Sequence, residues 1–148
     1  MKSLILLISL IAFQTHASEY ILPNIPEKGS ACDLEYHFTN APTVEEFKPI
    51  LADFQKTIEN KDWEKLATEY MKFPFVARKS KKELKIKNKN DFVKHAPELF
   101  SAMPAFTEFQ KMDFFCNYQG LMLFNGYLWL TLDKQKKLWI KAINYRDK

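Results

Sequence analysis

The chain has 148 residues, of which 47% are hydrophobic and 15% aromatic. That is enough for one packed domain, and it excludes intrinsic disorder, whose mark is a chain poor in aromatics. A formal charge of +4 is too mild for a nucleic-acid binder, and two cysteines without nearby cysteine or histidine partners lack zinc-ligand spacing.

The first residues have the make-up of a signal peptide. Lys2 is a positive n-region, Leu4 to Phe13 an apolar h-region and Thr15-His16-Ala17 a small-residue cleavage site. The apolar run is about ten residues, and a bilayer span needs roughly 20. Residues 1–17 therefore read as a signal cut after Ala17, which places the mature protein in the periplasm or outside the cell. No other stretch reads as a membrane span. Export also changes the meaning of Cys32 and Cys116. In an oxidising compartment a disulfide between them is favoured over two buried thiols.

Residues 18–42 read as an extended leader, punctuated by Pro23, Pro26, Gly29 and Pro42. Leu34, Tyr36 and Phe38 alternate as in a short strand. A single domain is expected over residues 43–148. Thr43-Val44-Glu45-Glu46 is a capping box, followed at helical spacing by Phe47, Ile50, Leu51, Phe54 and Ile58. Pro49 lies too deep for a first-turn proline and predicts a kink or restart. Asp62 caps a second helix with Trp63, Leu66, Ala67 and Tyr70 on its buried side. Phe75 to Arg78 and Glu83 to Lys87 read as a hairpin turned at Lys79 to Lys82. Asn90 or Asp91 is expected to cap a third helix, with Pro97 distorting its middle.

From Phe106 onward the pattern is sheet. Phe106 to Tyr118 reads as one long strand, with Cys116 on one face and Phe115 on the other. Gly120 to Leu132 is the longest apolar run after the signal. Asn125-Gly126 inside it reads as a bend or bulge in preference to a hairpin turn, which would leave strands of only about five residues. Asp133 to Lys137 is a polar turn before a last strand, Leu138 to Tyr145. Simple alternation puts Leu128, Leu130 and Leu132 on one face and Leu138, Ile140 and Ala142 on one face of the partner. Trp129, Trp139, Ile143 and Tyr145 then take the other sides. The whole is an α+β pattern, about three N-terminal helices packed on a curved, mainly antiparallel sheet.

Three groups of residues carry a likeness to a known superfamily. They are Asp62-Trp63-Glu64-Lys65-Leu66-Ala67 leading to Tyr70 and Phe73-Pro74-Phe75; Ile86-Lys87-Asn88 before Phe92; and Asn117 to Leu123 with Asn125-Gly126 and Trp129. Together they resemble the exported bacterial branch of the nuclear transport factor 2-like superfamily, over roughly Val44 to Tyr145. The resemblance implies a cone-shaped, cystatin-like α+β fold. That superfamily holds isomerases, dehydratases and many non-catalytic binding proteins, whose enzymes place an acid or base in the mouth of the cone.

The candidate chemistry is sparse. Asp113 stands between Met112 and Phe114 in a strand, where desolvation would raise a carboxyl and suit it to act as a base. Solvent or a pairing lysine is its plainer fate. Tyr70, Tyr118 and Tyr127 can donate to a ligand oxygen, although core tyrosines with one wet end are commoner. His37 and His95 have no nucleophile near them in sequence. Arg78, Lys79, Lys81, Lys82 and Lys85 form a dense basic run which, with Trp129 and Trp139, can make a patch for a ligand or partner. Its plainer role is protection of hairpin edges.

The expected function is that of a non-catalytic exported protein, binding a protein partner or a small apolar ligand. An inhibitor or immunity-type protein fits its size and compartment. The alternative is a small periplasmic isomerase or hydro-lyase with Asp113 as base. A homodimer through the aromatic outer sheet face is a further alternative. Neither a cofactor nor a metal is expected, and no nucleic-acid partner.

Overall fold

Thr43 starts the first helix, α1 (Val44–Glu59). Its Oγ1 accepts from the Glu46 N–H at 3.2 Å, and Glu46 Oε2 accepts from the Thr43 N–H at 2.9 Å. This is the expected capping box, with two orphan donors satisfied reciprocally. The structure, a computed structural model, describes residues 41–79, 82–105, 115–117 and 120–145. The predicted signal and most of the leader lie outside them, as do Cys32, His37, Lys81, Asp113 and Tyr118.

The expected restart at Pro49 does not occur: α1 runs through it as one helix of 16 residues. A proline removes a single backbone hydrogen bond. Phe47, Leu51, Phe54 and Ile58 bury one continuous stripe on both sides of it, so tertiary packing carries the helix across the gap. Lys61, at φ 55°, reverses the chain, and its N–H and that of Asp62 return to Ile58 O and Thr57 O. Asp62 Oδ1 then accepts from the Lys65 N–H and opens α2 (Trp63–Tyr70).

Strands β1 (Phe75–Lys79) and β2 (Lys82–Ile86) form the expected hairpin, in register from Phe75 opposite Ile86 to Lys79 opposite Lys82. The third helix, α3 (Lys89–Leu99), begins earlier than expected. Its cap is Asn88, which accepts from the Asp91 N–H, while Asp91 reaches back to the Lys87 N–H. Asp91 is thus the N3 residue, bonded to the N–H of the residue before the cap, and not the cap itself. Pro97 falls in the last turn of α3, and the helix continues to Leu99.

The second sheet is an antiparallel meander of four strands, β3 (Phe115–Asn117), β4 (Gly120–Leu123), β5 (Leu128–Leu132) and β6 (Leu138–Ile143). Of the long strand expected from Phe106, the described part is β3, where Cys116 is buried and Phe115 is exposed, as alternation requires.

Two expectations are corrected in this sheet. Asn125-Gly126 is neither a bend nor a bulge. It lies in the hairpin loop 124–127, where Phe124 and Asn125 have φ 53° and Gly126 φ 84°. Tyr127 N–H to Phe124 O closes the loop at 3.1 Å. Asn and Gly adopt such conformations cheaply, and the Phe124 ring is held by burial.

The bulge is instead in β6, between the pairs Trp129–Ala142 and Leu130–Ile140. Lys141 is the inserted residue, so every later side chain changes face. Ile143 pairs with Leu128 inside, Tyr145 is buried, and Ala142 joins Trp129 outside. A bulge does this because the side-chain period of a strand is two.

The inner face of the sheet, with Leu121, Leu123, Leu128, Leu130, Leu138, Ile140 and Ile143, joins one core with Phe47, Phe54, Leu66, Phe92 and Leu99 of the helices. The small hairpin adjoins β6, where Arg78 and Asn144 make a parallel bridge and the Tyr145 N–H reaches Arg78 O at 2.9 Å. The architecture is α+β, with three helices and two antiparallel sheets among the described residues. No described helix is long and apolar enough to cross a membrane.

Candidate functional site

The ends of three helices enclose a cleft. Where α1 stops, Ile58 and Glu59 form one side. The reversal at Lys61 delivers Trp63, the first residue of α2, to the floor. The C-terminal end of α3 supplies Pro97 and its cap Phe100, and Ser101, Met103, Pro104 and Ala105 continue the wall. The Trp63 and Phe100 rings stack at 5.2 Å with 23° between planes. Phe100 in turn meets Phe92 edge-on, and Phe92 leans on Phe73. The floor is therefore tied into the core by a chain of rings. The volume is about 530 Å³, within the range of about 300–1,000 Å³ usual for small-molecule sites. Tyr127 braces the wall: its hydroxyl donates to Leu99 O at 2.5 Å, and burial pushes it up to about 12.

At the mouth the groups are polar. The Glu59 carboxylate accepts from the Gln55 amide at 2.9 Å, its one partner among the described residues. Gln55 itself is buried, with 6% of its surface exposed, and its Oε1 has no hydrogen-bond partner among the described residues. Lys61 stands at the same rim. The sequence signal for this site was thin. Trp63 reads as a core residue, and nothing in spacing alone brings residue 58 to residue 103.

Tyr70, a candidate acid–base residue, is engaged elsewhere. Its hydroxyl donates to Asp53 Oδ2 at 2.5 Å, and Lys65 Nζ donates to Asp53 Oδ1 at 2.6 Å. Sequence reasoning missed Asp53 and Lys65, because the helical hairpin that joins positions 53, 65 and 70 is a tertiary fact. Burial pushes the Asp53 carboxyl upward. The hydrogen bonds from Lys65 and Tyr70 and the charges of Lys65 and Lys56 outweigh it and hold the group below its ordinary value. Burial and the same carboxylate push Tyr70 well above its usual value, so it remains a protonated donor. The three groups clamp α1 to α2 beside a shallow groove lined by Pro49, Ile50, Glu69 and Leu138.

An acid titration tests the clamp. Asp53 is depressed in the folded state, so its contribution is full above about pH 4 and is lost as pH falls through the lowered folded value. Tyr70→Phe should cost about 1 kcal/mol at neutral pH, a figure discounted for the half-exposed carboxylate. The gap between variant and parent should close below about pH 4, as measured by urea unfolding at several pH values. A gap that stays constant with pH would show that the clamp is not electrostatic.

The expected basic patch divides in two. Arg78, Lys79, Lys82 and Lys85 lie on the β1–β2 hairpin. There Arg78 pairs with Glu83, and Lys79 Nζ lies 5.6 Å from the Tyr145 ring. Trp139 stands at the far end of β6 from the Arg78–Asn144 bridge. Five residues of strand, roughly 16 Å, separate the two clusters. Lys72 and Lys137 flank the Trp139 ring at 4.2 and 4.5 Å, and its Nε1 donates to Asp133 Oδ2 at 2.6 Å. That bond, with the backbone N–H groups of Lys137 and Gln135 and the charge of Lys72, outweighs the upward push from burial and holds Asp133 below its ordinary value.

Trp129 belongs instead to a row across the outer sheet face, Phe115–Met122–Trp129–Ala142, set by the pairings of all four strands. Phe115 is 52% exposed. His95 lies on α3, 3.7 Å from Asp91. Cys116 is buried.

No family model, no curated protein and no solved structure matches this chain.

Proposed function

We propose that the protein is an exported, non-catalytic binding protein that takes a small apolar ligand in the Trp63–Phe100 cleft. Its fold would be the cone of the nuclear transport factor 2-like superfamily, and Cys32–Cys116 its disulfide. The observation that carries the reading is the cleft itself, an aromatic floor braced by the core beside a polar rim. The Tyr70 hydroxyl is spent on Asp53, which favours binding over acid–base work at that residue.

A neutral apolar dye, N-phenyl-1-naphthylamine, tests this. Its fluorescence should rise saturably with the full-length purified protein. Ser101→Phe fills the cleft from an exposed position and should weaken the dye at least about fivefold with little change in Tm, as lost apolar contact area predicts. Trp63→Phe should weaken it less. Dye binding that is indifferent to Ser101→Phe would remove the cleft as the site.

The row Phe115–Met122–Trp129–Ala142 favours a second reading, a protein partner on the outer sheet face. Phe115, 52% exposed on the edge strand β3, is the aromatic this face offers as an anchor. Phe115→Asp should then abolish capture of a protein from periplasmic extract while leaving dye binding intact. Capture that survives this change would count against the face.

A further inference from the structure

The cleft has an uneven distribution of charge and hydrogen-bonding capacity, and this points to a class of ligand. We infer that the ligand is an organic ammonium ion, carrying at least one N–H on an apolar body. It would seat its nitrogen against Glu59 and its carbon part on Trp63 and Phe100. The inference rests on the binding reading above and deepens it.

Three observations converge. First, the Glu59 carboxylate lines the cleft, and its one partner among the described residues is a neutral amide. No lysine or arginine pairs with it among the described residues, although Lys61 lines the same cleft. Second, α1 and α3 both end at this cleft. A helix C-terminus presents carbonyl oxygens and the negative end of its dipole, which attracts cations. Most of the terminal carbonyls are already occupied, Lys56, Thr57 and Ile58 O by the turn after α1 and Ala96, Glu98 and Leu99 O after α3, so it is the dipole that acts here.

Third, the floor is a stacked Trp–Phe pair, and the face of an indole attracts an ammonium through its quadrupole. Gln55, one turn back on α1 and outside the cleft lining, holds the Glu59 carboxylate through its amide nitrogen at 2.9 Å.

An apolar body with an anionic head fits poorly. Among the described residues Lys61 is the one cation on the rim, and its long side chain can swing into solvent. The carboxylate is held by Gln55, and the two helix ends are fixed by the backbone.

The test uses displacement of N-phenyl-1-naphthylamine from the full-length protein at low ionic strength, where charge is least screened. The competitors are hexylammonium, hexanol and hexanoate, equal in apolar length. Hexylammonium should displace the dye at a concentration about tenfold below hexanol, with hexanoate weakest, as a desolvated cation–π and charge-assisted contact predicts. Glu59→Gln should bring hexylammonium to within about twofold of hexanol and leave hexanol unchanged. Lys61→Gln should strengthen hexylammonium about twofold, since a like charge is removed from the rim.

Equal displacement by hexylammonium and hexanol on the parent protein would overturn the inference. So would a preference for hexylammonium that survives Glu59→Gln. Either result leaves the apolar cleft standing, because the dye still binds. Dye binding unaffected by Ser101→Phe would instead overturn the cleft.

Discussion

Gly120→Ala is expected to destabilise the protein by about 3 kcal/mol, from two independent causes. Gly120 has φ +145°, a conformation that an L side chain rarely adopts. A Cβ placed there would stand 2.2 Å from the carbonyl oxygen of Leu130. That atom is backbone, in the middle of β5, and Leu130 is itself paired with Leu121 on one side and Ile140 on the other. It has nowhere to move without opening a ladder. Gly126→Ala is the control. Its φ is +84°, but the nearest atoms to a new Cβ are the Met122 sulfur at 3.5 Å and Trp129 Nε1 at 3.7 Å, ordinary contacts at side-chain ends. Its cost should be about 1 kcal/mol, from backbone strain alone. Thermal and urea unfolding of both variants decide the matter. Equal losses would show that the β4–β5 approach is looser than described.

Reduction is expected to have an effect of similar size. A Cys32–Cys116 bridge closes a long loop, for which the chain-entropy model gives on the order of 4 kcal/mol. Cys116 is central in β3, and its side chain is buried, so a lost bridge leaves an edge strand without its tether. Denatured, unreduced protein should show no free thiol. Addition of a reductant should lower the urea midpoint, and Cys116→Ser with Cys32→Ser should match the reduced parent. Two thiols titrating in the unreduced protein would refute the bridge.

The legible parts were those whose cause is local. Thr43 with Glu46, and Asp62 before Lys65, are caps because a short side-chain oxygen reaches an N–H three residues on. The β1–β2 hairpin follows from alternation about a lysine-rich turn, and the buried stripe of α1 from apolar residues at helical spacing. The capping of α3 was misplaced because Asn88, Asn90 and Asp91 are all good cap residues. The choice among them depends on where Phe92, Ala96 and Leu99 must face the core.

The bulge at Lys141 shows a different limit. The apolar pattern of Leu138 to Tyr145 admits both a regular strand and a bulged one. Only the partner strand chooses, by bringing Leu128 opposite Ile143. The Gly120–Leu132 run could likewise be a bent strand or a hairpin. Hydrogen bonds from Asn144, to Tyr127 O and Gly126 O, hold the loop as a hairpin.

The candidate site lies furthest from sequence reasoning. Trp63 and Phe100, Glu59 and Met103, or Asp53 and Tyr70 meet because helices end or cross at particular places, and no spacing rule carries that information. By itself the amino-acid order determined the class of fold, the starts of α1 and α2, the β1–β2 hairpin and the apolar stripe of α1, since each is set by interactions within a few positions. The face of each strand after the bulge, the aromatic floor of the cleft and the orphan oxygen of Gln55 were decided by tertiary packing. There one segment's choice depends on the surface another segment offers.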